Sequence, residues 1–230
     1  LQMTTLTLIT AAHQDITGLQ RFHAELSHLL SDEFHWIIKD SANCRLSLEW
    51  ANGKKSPFIK FLSSKDTGIY QALNEAIRTS KSEFYLVAGL DDVIDPIALR
   101  HVISLLRKSE FNGVDILSFP VLFDTGVLRR KRWWPINISV SGLVASHSVG
   151  TIIRSTLHDR FGHYDESYRI LADALFLKKA HLGHAKFLHL NTPILGRFST
   201  NGISSTRHAL RSLEAYDYNV STGSPIALQA

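Results

Sequence analysis

Cysteine is almost absent from this 230-residue chain. Cys44 stands alone, so no disulfide can form within it. That suits a reducing compartment, and a lone cysteine without a nucleophile pattern around it reads as a buried structural thiol. Methionine is as scarce. Met3 is the only one, and the expectation is that Leu1 and Gln2 precede the native start. No apolar run approaches the roughly 18 residues needed to span a bilayer, and no signal peptide is read at the start. Neither a Walker loop nor a dinucleotide glycine fingerprint is present. His181, His184 and His189 lie close together, but no Cys or Glu partner stands at ligand spacing. They read as surface histidines, not as a zinc site.

What is present is ordinary globular material. The chain is 44% hydrophobic and 20% charged, and a core of this size needs no disulfide staples. The net charge of +4 gives a mildly basic surface. One cluster is sharper: Arg129, Arg130, Lys131 and Arg132 run directly into Trp133 and Trp134. Four cations beside two tryptophans suit an anionic membrane surface. Phosphate contact and base stacking by nucleic acid, and a solvated loop with a partly buried Trp pair, are the weaker readings. Exposed aromatics around Trp133 could equally serve a homo-oligomer interface.

Periodicity separates the chain into two halves. Residues 5–10, 35–39, 59–62, 84–90 and 114–119 read as strands, and 18–30, 68–79 and 96–108 as helices between them. That alternation predicts an α/β fold, a mostly parallel sheet with helices on both faces. The second half is less regular. Residues 121–141 read as an extended or hairpin insertion, 150–153 as a strand, 155–160 as a short helix, 173–182 as a helix and 186–190 as a strand. Residues 194–206 read as a Gly/Ser/Thr loop, and those after 218 as a polar tail. No repeat or linker divides the chain, so one domain is expected.

In open α/β sheets, ligands sit beyond the carboxyl ends of the strands. Three predicted strands lead to acids there: Asp40, Asp66, and the pair Asp91–Asp92. A fourth acid, Asp173, begins the late helix. Neighbouring strands would bring all four to one rim. Paired acids after an apolar strand can hold a hard divalent cation against a diphosphate, and Asp92 is the candidate ligand. The competing role for the pair is to cap the helix that starts at Pro96. Asp173 could take a proton from an attacking hydroxyl, or serve as a helix cap, or both.

These residues resemble glycosyltransferase family 2, inverting enzymes of the GT-A fold, and in particular a small bacterial branch that builds surface polysaccharides. The branch pattern Ser-Glu-Pro-Asp-x-Gly-Ile-Tyr-Asp-Ala-Met-Asn is similar to Ser63-Ser64-Lys65-Asp66-Thr67-Gly68-Ile69-Tyr70-Gln71-Ala72-Leu73-Asn74. The family's Leu-Asn-x-Asp-Asp stands here as Ala88-Gly89-Leu90-Asp91-Asp92. Its Ile-Ile-x-Asp-Gly-x-Ser is similar to Ile37-Ile38-Lys39-Asp40-Ser41-Ala42-Asn43. Its His-Gln segment resembles His147-Ser148. Its Gly-x-Phe-Asp-Glu-x-Tyr-x-Ile-x-x-Asp is close to the stretch from Gly162 to Asp173, and its late Gly-Gly-x-Ser resembles Asn201-Gly202-Ile203-Ser204. Six motifs in order cover about residues 5–204.

The resemblance implies one GT-A domain over 1–230, with a nucleotide-sugar half at about 3–119 and an acceptor half at about 120–218. It implies that Asp40 binds the nucleotide base, that Asp91 faces the ribose, and that Asp92 holds Mn²⁺ or Mg²⁺ on the diphosphate. Asp66 and Asn74 would line the donor pocket, and Asp173 would be the catalytic base. His147 would lie near the acceptor or the diphosphate. The implied enzyme transfers a sugar from a nucleotide sugar, UDP-linked by expectation, to a saccharide or lipid-linked saccharide. It would work in the cytoplasm at the inner face of the membrane, with Arg129, Arg130, Arg132, Trp133 and Trp134 as the contact and no nucleic-acid partner. Ser41, Asn43, Lys65, Gln71, Glu75 and Ser148 depart from the family pattern. A non-catalytic nucleotide-sugar binder is the alternative. A sugar nucleotidyltransferase fits less well, because residues 11–17 lack its Gly-rich basic loop.

Overall fold

The structure, a computed structural model, describes residues 4–41, 45–54, 56–129, 147–199 and 208–221. Cys44, Asn43, residues 130–134 and residues 201–204 lie outside them; of Arg129 only the backbone is described. Three of the expected features, the thiol, the basic-aromatic cluster and the late Gly-x-Ser motif, therefore fall outside the described residues.

Two sheets organise the fold. The larger has seven strands, ordered β10–β6–β9–β4–β1–β2–β3. These are β1 (Leu6–Ala12), β2 (Phe34–Asp40), β3 (Ile59–Ser63), β4 (Phe84–Val87), β6 (Ile116–Ser118), β9 (Thr151–Arg154) and β10 (Phe187–His189). Only β9 runs against its neighbours β4 and β6. β1 lies at the centre, parallel to β2 and to β4. A smaller sheet pairs β5 (Val93–Ile94), β11 (Gly196–Phe198), β7 (Val121–Phe123) and β8 (Leu128–Arg129) in that order. The alternating parallel half and the late hairpin at β7–β8 match the sequence expectation. The strand β11 inside the predicted 194–206 loop does not.

Helices cover both faces of the larger sheet. Strand residues alternate between two cores, as a period of two requires. Leu6, Leu8, Trp36 and Ile38 face one core with Leu19, Phe22 and Leu26 of α1 (Ile16–Leu26) and Leu99 and Val102 of α4 (Pro96–Leu106). Ile9, Ile37 and Tyr85 face the other with Tyr70, Leu73 and Ile77 of α3 (Ile69–Thr79) and Phe176 and Leu177 of α6 (Ala172–Leu182). Burial on both sides is why these strands read as continuous apolar runs. The helices α2 (Arg45–Gly53) and α7 (His208–Ser221) were not anticipated, whereas α5 (Leu157–Phe161) was. α7 packs Ala215 against Leu171, Ala174 and Leu175 at the start of α6. Among the described residues no helix is long and apolar enough to cross a membrane.

Candidate active site

The chain folds Asp91 and Asp92 into a tight turn just past β4. Asp92 N–H donates to Gly89 O at 3.2 Å, and Gly89 N–H donates back to Asp92 Oδ2 at 2.9 Å. A Cβ at position 89 would stand 2.5 Å from Oδ1 of the exposed Asp91, so a larger residue there would require that carboxylate to turn away. α1 braces it from outside. Arg21 Nη2 donates to Leu90 O at 2.5 Å and to Asp92 O at 2.6 Å. Gly18 lets the helix approach, since a Cβ there would lie 2.8 Å from Leu90 Cβ.

The two acids of the turn differ in exposure. Asp91 is exposed and Asp92 is 3% exposed. Asp92 Oδ1 is buried with no hydrogen-bond partner among the described residues. Burial, with the Asp91 charge adding to it, pushes the Asp92 carboxyl up to about 7, against the pull of the Gly89 and Ser199 N–H groups and of Arg21. Capping of α4, the competing role, belongs to Asp95 instead. Its Oδ1 accepts from Ile97 N–H at 2.8 Å and Ala98 N–H at 2.9 Å.

Two further acids stand on the same rim. Asp40 ends β2, fully buried, in register with Ala12 of β1 and Ser63 of β3. Beside it Ser41 Oγ bonds His13 Nδ1 at 2.7 Å. Asp66 follows β3, and its carboxylate is committed to Lys39. The fully buried Lys39 ammonium lies 3.2 Å from Asp66 Oδ2 and 3.7 Å from Glu75, and donates to Ser64 O at 2.7 Å. Lys39 is a cation within an apolar strand, a signal present in the sequence but not taken up. The exposed Lys65 is not the cation that meets Asp66.

Asn74 sits deeper than expected. Its Nδ2 donates to Tyr164 O at 2.8 Å and Glu166 Oε1 at 2.9 Å, and its Oδ1 accepts from Tyr164 N–H at 3.0 Å. Both amide hydrogens are thereby engaged, and the side chain brackets the 164–166 turn.

Asp173 lies in the first turn of α6, with Leu171 at the cap position. Its Oδ1 accepts from Tyr70 O–H at 2.9 Å and from Ala174 N–H at 2.8 Å. Burial raises its carboxyl above the usual carboxylate range, while the Tyr70 hydroxyl pulls it back down. The turn before it is held from the far end of the chain. Glu214 of α7, 8% exposed, accepts three consecutive backbone N–H groups: Arg169 at 2.6 Å and Ile170 and Leu171 at 3.0 Å each. The single Tyr70 hydroxyl hydrogen is shared between Asp173 Oδ1 and Ile170 O, the latter at 2.5 Å. Sequence reasoning quoted Tyr70 only within a motif and missed Glu214 altogether. The signal was an acid set among Leu210, Leu213, Ala215 and Tyr218.

A cleft of ≈ 370 Å³, counting its open mouth, joins Asp173 to the sheet. Val87, the last residue of β4, and Ser148 line it. Asp173 thus opens onto the end of the strand that leads to Asp91–Asp92. His147 stands beside this cleft. Its Nδ1 is 3.0 Å from Ser148 Oγ, and its ring packs on Phe198 at a centroid distance of 3.6 Å.

The architecture is that of solved nucleotide-sugar complexes. TarS of S. aureus, residues 1–349, matches at a TM-score of 0.65 and 17% identity, over 86% of this chain and 61% of that one. The same protein in complex with UDP-GlcNAc matches at 0.64 and 17% identity, over 85% and 58%. A mannosyltransferase, PcManGT from Pyrobaculum calidifontis, solved with GDP-Man and Mn²⁺, matches at 0.68 and 14% identity, over 96% and 64%. These likenesses show a shared fold. The chain spans 58 to 64% of the length of these solved chains. No protein-family model matches the chain, and no curated protein sequence does.

Proposed function

We propose that this chain is an inverting glycosyltransferase of the family 2 type. It would move a sugar from a nucleotide sugar, UDP-linked in the first instance, to a saccharide or lipid-linked saccharide of bacterial surface polysaccharide synthesis. The observation that carries this reading is the Asp92 carboxylate. It is buried just past the carboxyl end of β4, with one oxygen, Oδ1, that has no hydrogen-bond partner among the described residues. A buried carboxylate oxygen normally has a partner. In a fold shared with nucleotide-sugar complexes, a divalent cation supplies one.

The residues fit such a cation on one condition. Among the described residues no three His, Cys, Asp or Glu side chains form a metal site by themselves. Mg²⁺ and Mn²⁺ need few protein ligands when phosphate oxygens complete the shell. Asp92, with Asp91 beside it, would hold the ion jointly with the diphosphate. The ion would neutralise charge on the departing nucleoside diphosphate. Asp40 and the neighbouring Ser41–His13 pair would meet the base, and Asp91 the ribose. Asp66 and Asn74 would act as supports, through Lys39 and the 164–166 turn.

The Asp173 carboxylate would take the proton of the acceptor hydroxyl. That oxygen forms the new bond to the anomeric carbon as the bond to the diphosphate breaks on the opposite side, which inverts the centre. Burial suits the role, because a base with a raised affinity for protons pulls harder on a hydroxyl.

The test is donor binding and transfer across UDP-, GDP- and dTDP-sugars with Mn²⁺ or Mg²⁺, in wild type, Asp92→Ala and Asp173→Asn. Metal-dependent binding of one donor should vanish in Asp92→Ala. Asp173→Asn should keep that binding and lose transfer by about 10²- to 10⁴-fold. Failure of wild type to bind any nucleotide sugar under either metal would overturn the proposal.

A further inference from the structure

The cleft beside Asp173 has a floor and a rim of opposite character. Leu73, Val87, Ile153 and Leu177 are the apolar residues of its lining, here called the floor, and Ser148, Thr151, Tyr164 and Asp173 the polar ones, here called the rim. One chain of bonds fixes the Tyr164 hydrogen, and a separate bond fixes that of Thr151.

His158 Nδ1 lies 3.0 Å from Gly162 O. A carbonyl only accepts, so Nδ1 carries the hydrogen. Burial holds His158 down to about 4, so the ring is neutral at pH 7 and Nε2 is a bare acceptor. Tyr85 O–H, 2.8 Å away, donates to that nitrogen. Its oxygen must then accept from Tyr164 O–H at 2.9 Å. Tyr164 has no second hydrogen to give. Thr151 O–H is spent on His147 O at 2.8 Å. An ionised Asp173 only accepts. Apart from Ser148, the polar lining has no hydrogen free to donate to a ligand.

We propose that this cleft receives an acetamido substituent of the acceptor sugar, adjacent to the hydroxyl that is glycosylated. The acetamido N–H supplies the hydrogen the rim lacks, its methyl meets the apolar floor, and its carbonyl turns to the open mouth and water. A carboxylate or phosphate substituent would find only the Ser148 hydroxyl to donate to it, among acceptors. A hydroxyl could donate but would leave the floor empty. The assignment rests on Asp173 being the base, because that role is what sets an acceptor hydroxyl at the rim.

The test uses the intact protein and fluorine NMR. The probes are methyl glycosides of N-trifluoroacetyl glucosamine, galactosamine and mannosamine. At least one probe should shift or broaden. Its N-acetyl counterpart should displace it at about one-tenth the concentration of the matching 2-hydroxy glycoside, the low end of what a small apolar group in a fitted pocket discriminates. Leu177→Phe fills the floor and should abolish the effect. Val87→Ile, a smaller change, should weaken it should Leu177→Phe fail to fold. Equal displacement by the 2-hydroxy glycoside, undiminished probe binding in a folded variant, or no probe binding would each overturn the assignment. Transfer assays with the same sugar pairs separate it from the proposed function. Transfer without acetamido preference sinks the acetamido site and keeps the transferase. Probe binding that follows the expected pattern, with no transfer to any acceptor, supports the site and sinks the transferase.

Discussion

The turn that carries Asp92 closes on itself within four residues, while the turn that carries Asp173 is held from 44 and 103 residues away. The first is set by the two bonds between Gly89 and Asp92 and by the end of a parallel strand. Arg21 of a neighbouring helix only braces it. The second has no such local frame. Tyr70 of α3 and Glu214 of α7 grip it from opposite sides, and Asn74 fixes the 164–166 turn just upstream. The electrostatics differ as well. Asp92 Oδ1 has no hydrogen-bond partner among the described residues, whereas Asp173 Oδ1 is held by both Tyr70 O–H and Ala174 N–H. Under the proposed function this difference is what the two roles ask for: a cation ligand with a lone pair to give, and a base whose carboxylate is fixed before it takes a proton.

Breaking the donor-side rim should cost the most. Asp66→Ala leaves the buried Lys39 ammonium with two backbone carbonyls and Glu75 at 3.7 Å. Removing one partner of a buried ion pair costs about 3–5 kcal/mol, and the remaining contacts place this case near the lower end. Urea unfolding should show the loss as a lower midpoint with an unchanged slope. Combining Asp66→Leu with Lys39→Met should restore most of it. A stability loss that persists in the double variant would mean that Asp66 supports the rim by some route other than Lys39.

The contrast also explains how much was legible in the sequence. Local devices could be read directly. Apolar runs gave β1, β2 and β4, the Pro96 helix start was correct, and Asp40, Asp66 and the Asp91–Asp92 pair stand at or just past the carboxyl ends of the parallel strands β2, β3 and β4. Long-range devices could not be read. Asn74 sits in a recognisable motif, but only the fold shows that Tyr164 consumes its amide. The capping of α4 by Asp95, one position from a proline, was locally legible and overlooked in favour of Asp91–Asp92. α7 was missed because its apolar residues pack on distant parts of the chain, around Tyr168 and the first half of α6. Glu214 therefore looked like any surface acid.

The acceptor side should break more gently. In Glu214→Gln one of the two positions around the 169–171 amides becomes an NH₂ facing an N–H. With the amide oxygen kept on Ile170 and Leu171, the Arg169 bond is lost. A hydrogen bond to a charged acceptor is worth about 1.5–3 kcal/mol. The rate of transfer should fall by about tenfold or more, which is 1.4 kcal/mol and up, while donor affinity stays at the wild-type value. Donor affinity falling in step with rate would mean that α7 supports the whole rim and that the two sides are not separately built.

The smallest effect should come from Tyr70→Phe, and it sharpens the comparison most. The phenol donates to Asp173 Oδ1 and so favours the ionised carboxylate, opposing the burial that raises its proton affinity. Without the hydroxyl the carboxyl holds its proton to still higher pH. A base works only when ionised, so the acid limb of the pH–rate profile should move to higher pH in the variant. Well above that limb the rate should return to within about tenfold of wild type, since the carboxylate itself remains. Donor binding, which the proposed function assigns to the Asp92 turn, should show no such displacement with pH. A uniform fall in rate at every pH, with the limb unmoved, would mean that Tyr70 acts on Asp173 only by holding Ile170 O, and that its hydroxyl does not set the charge of the base.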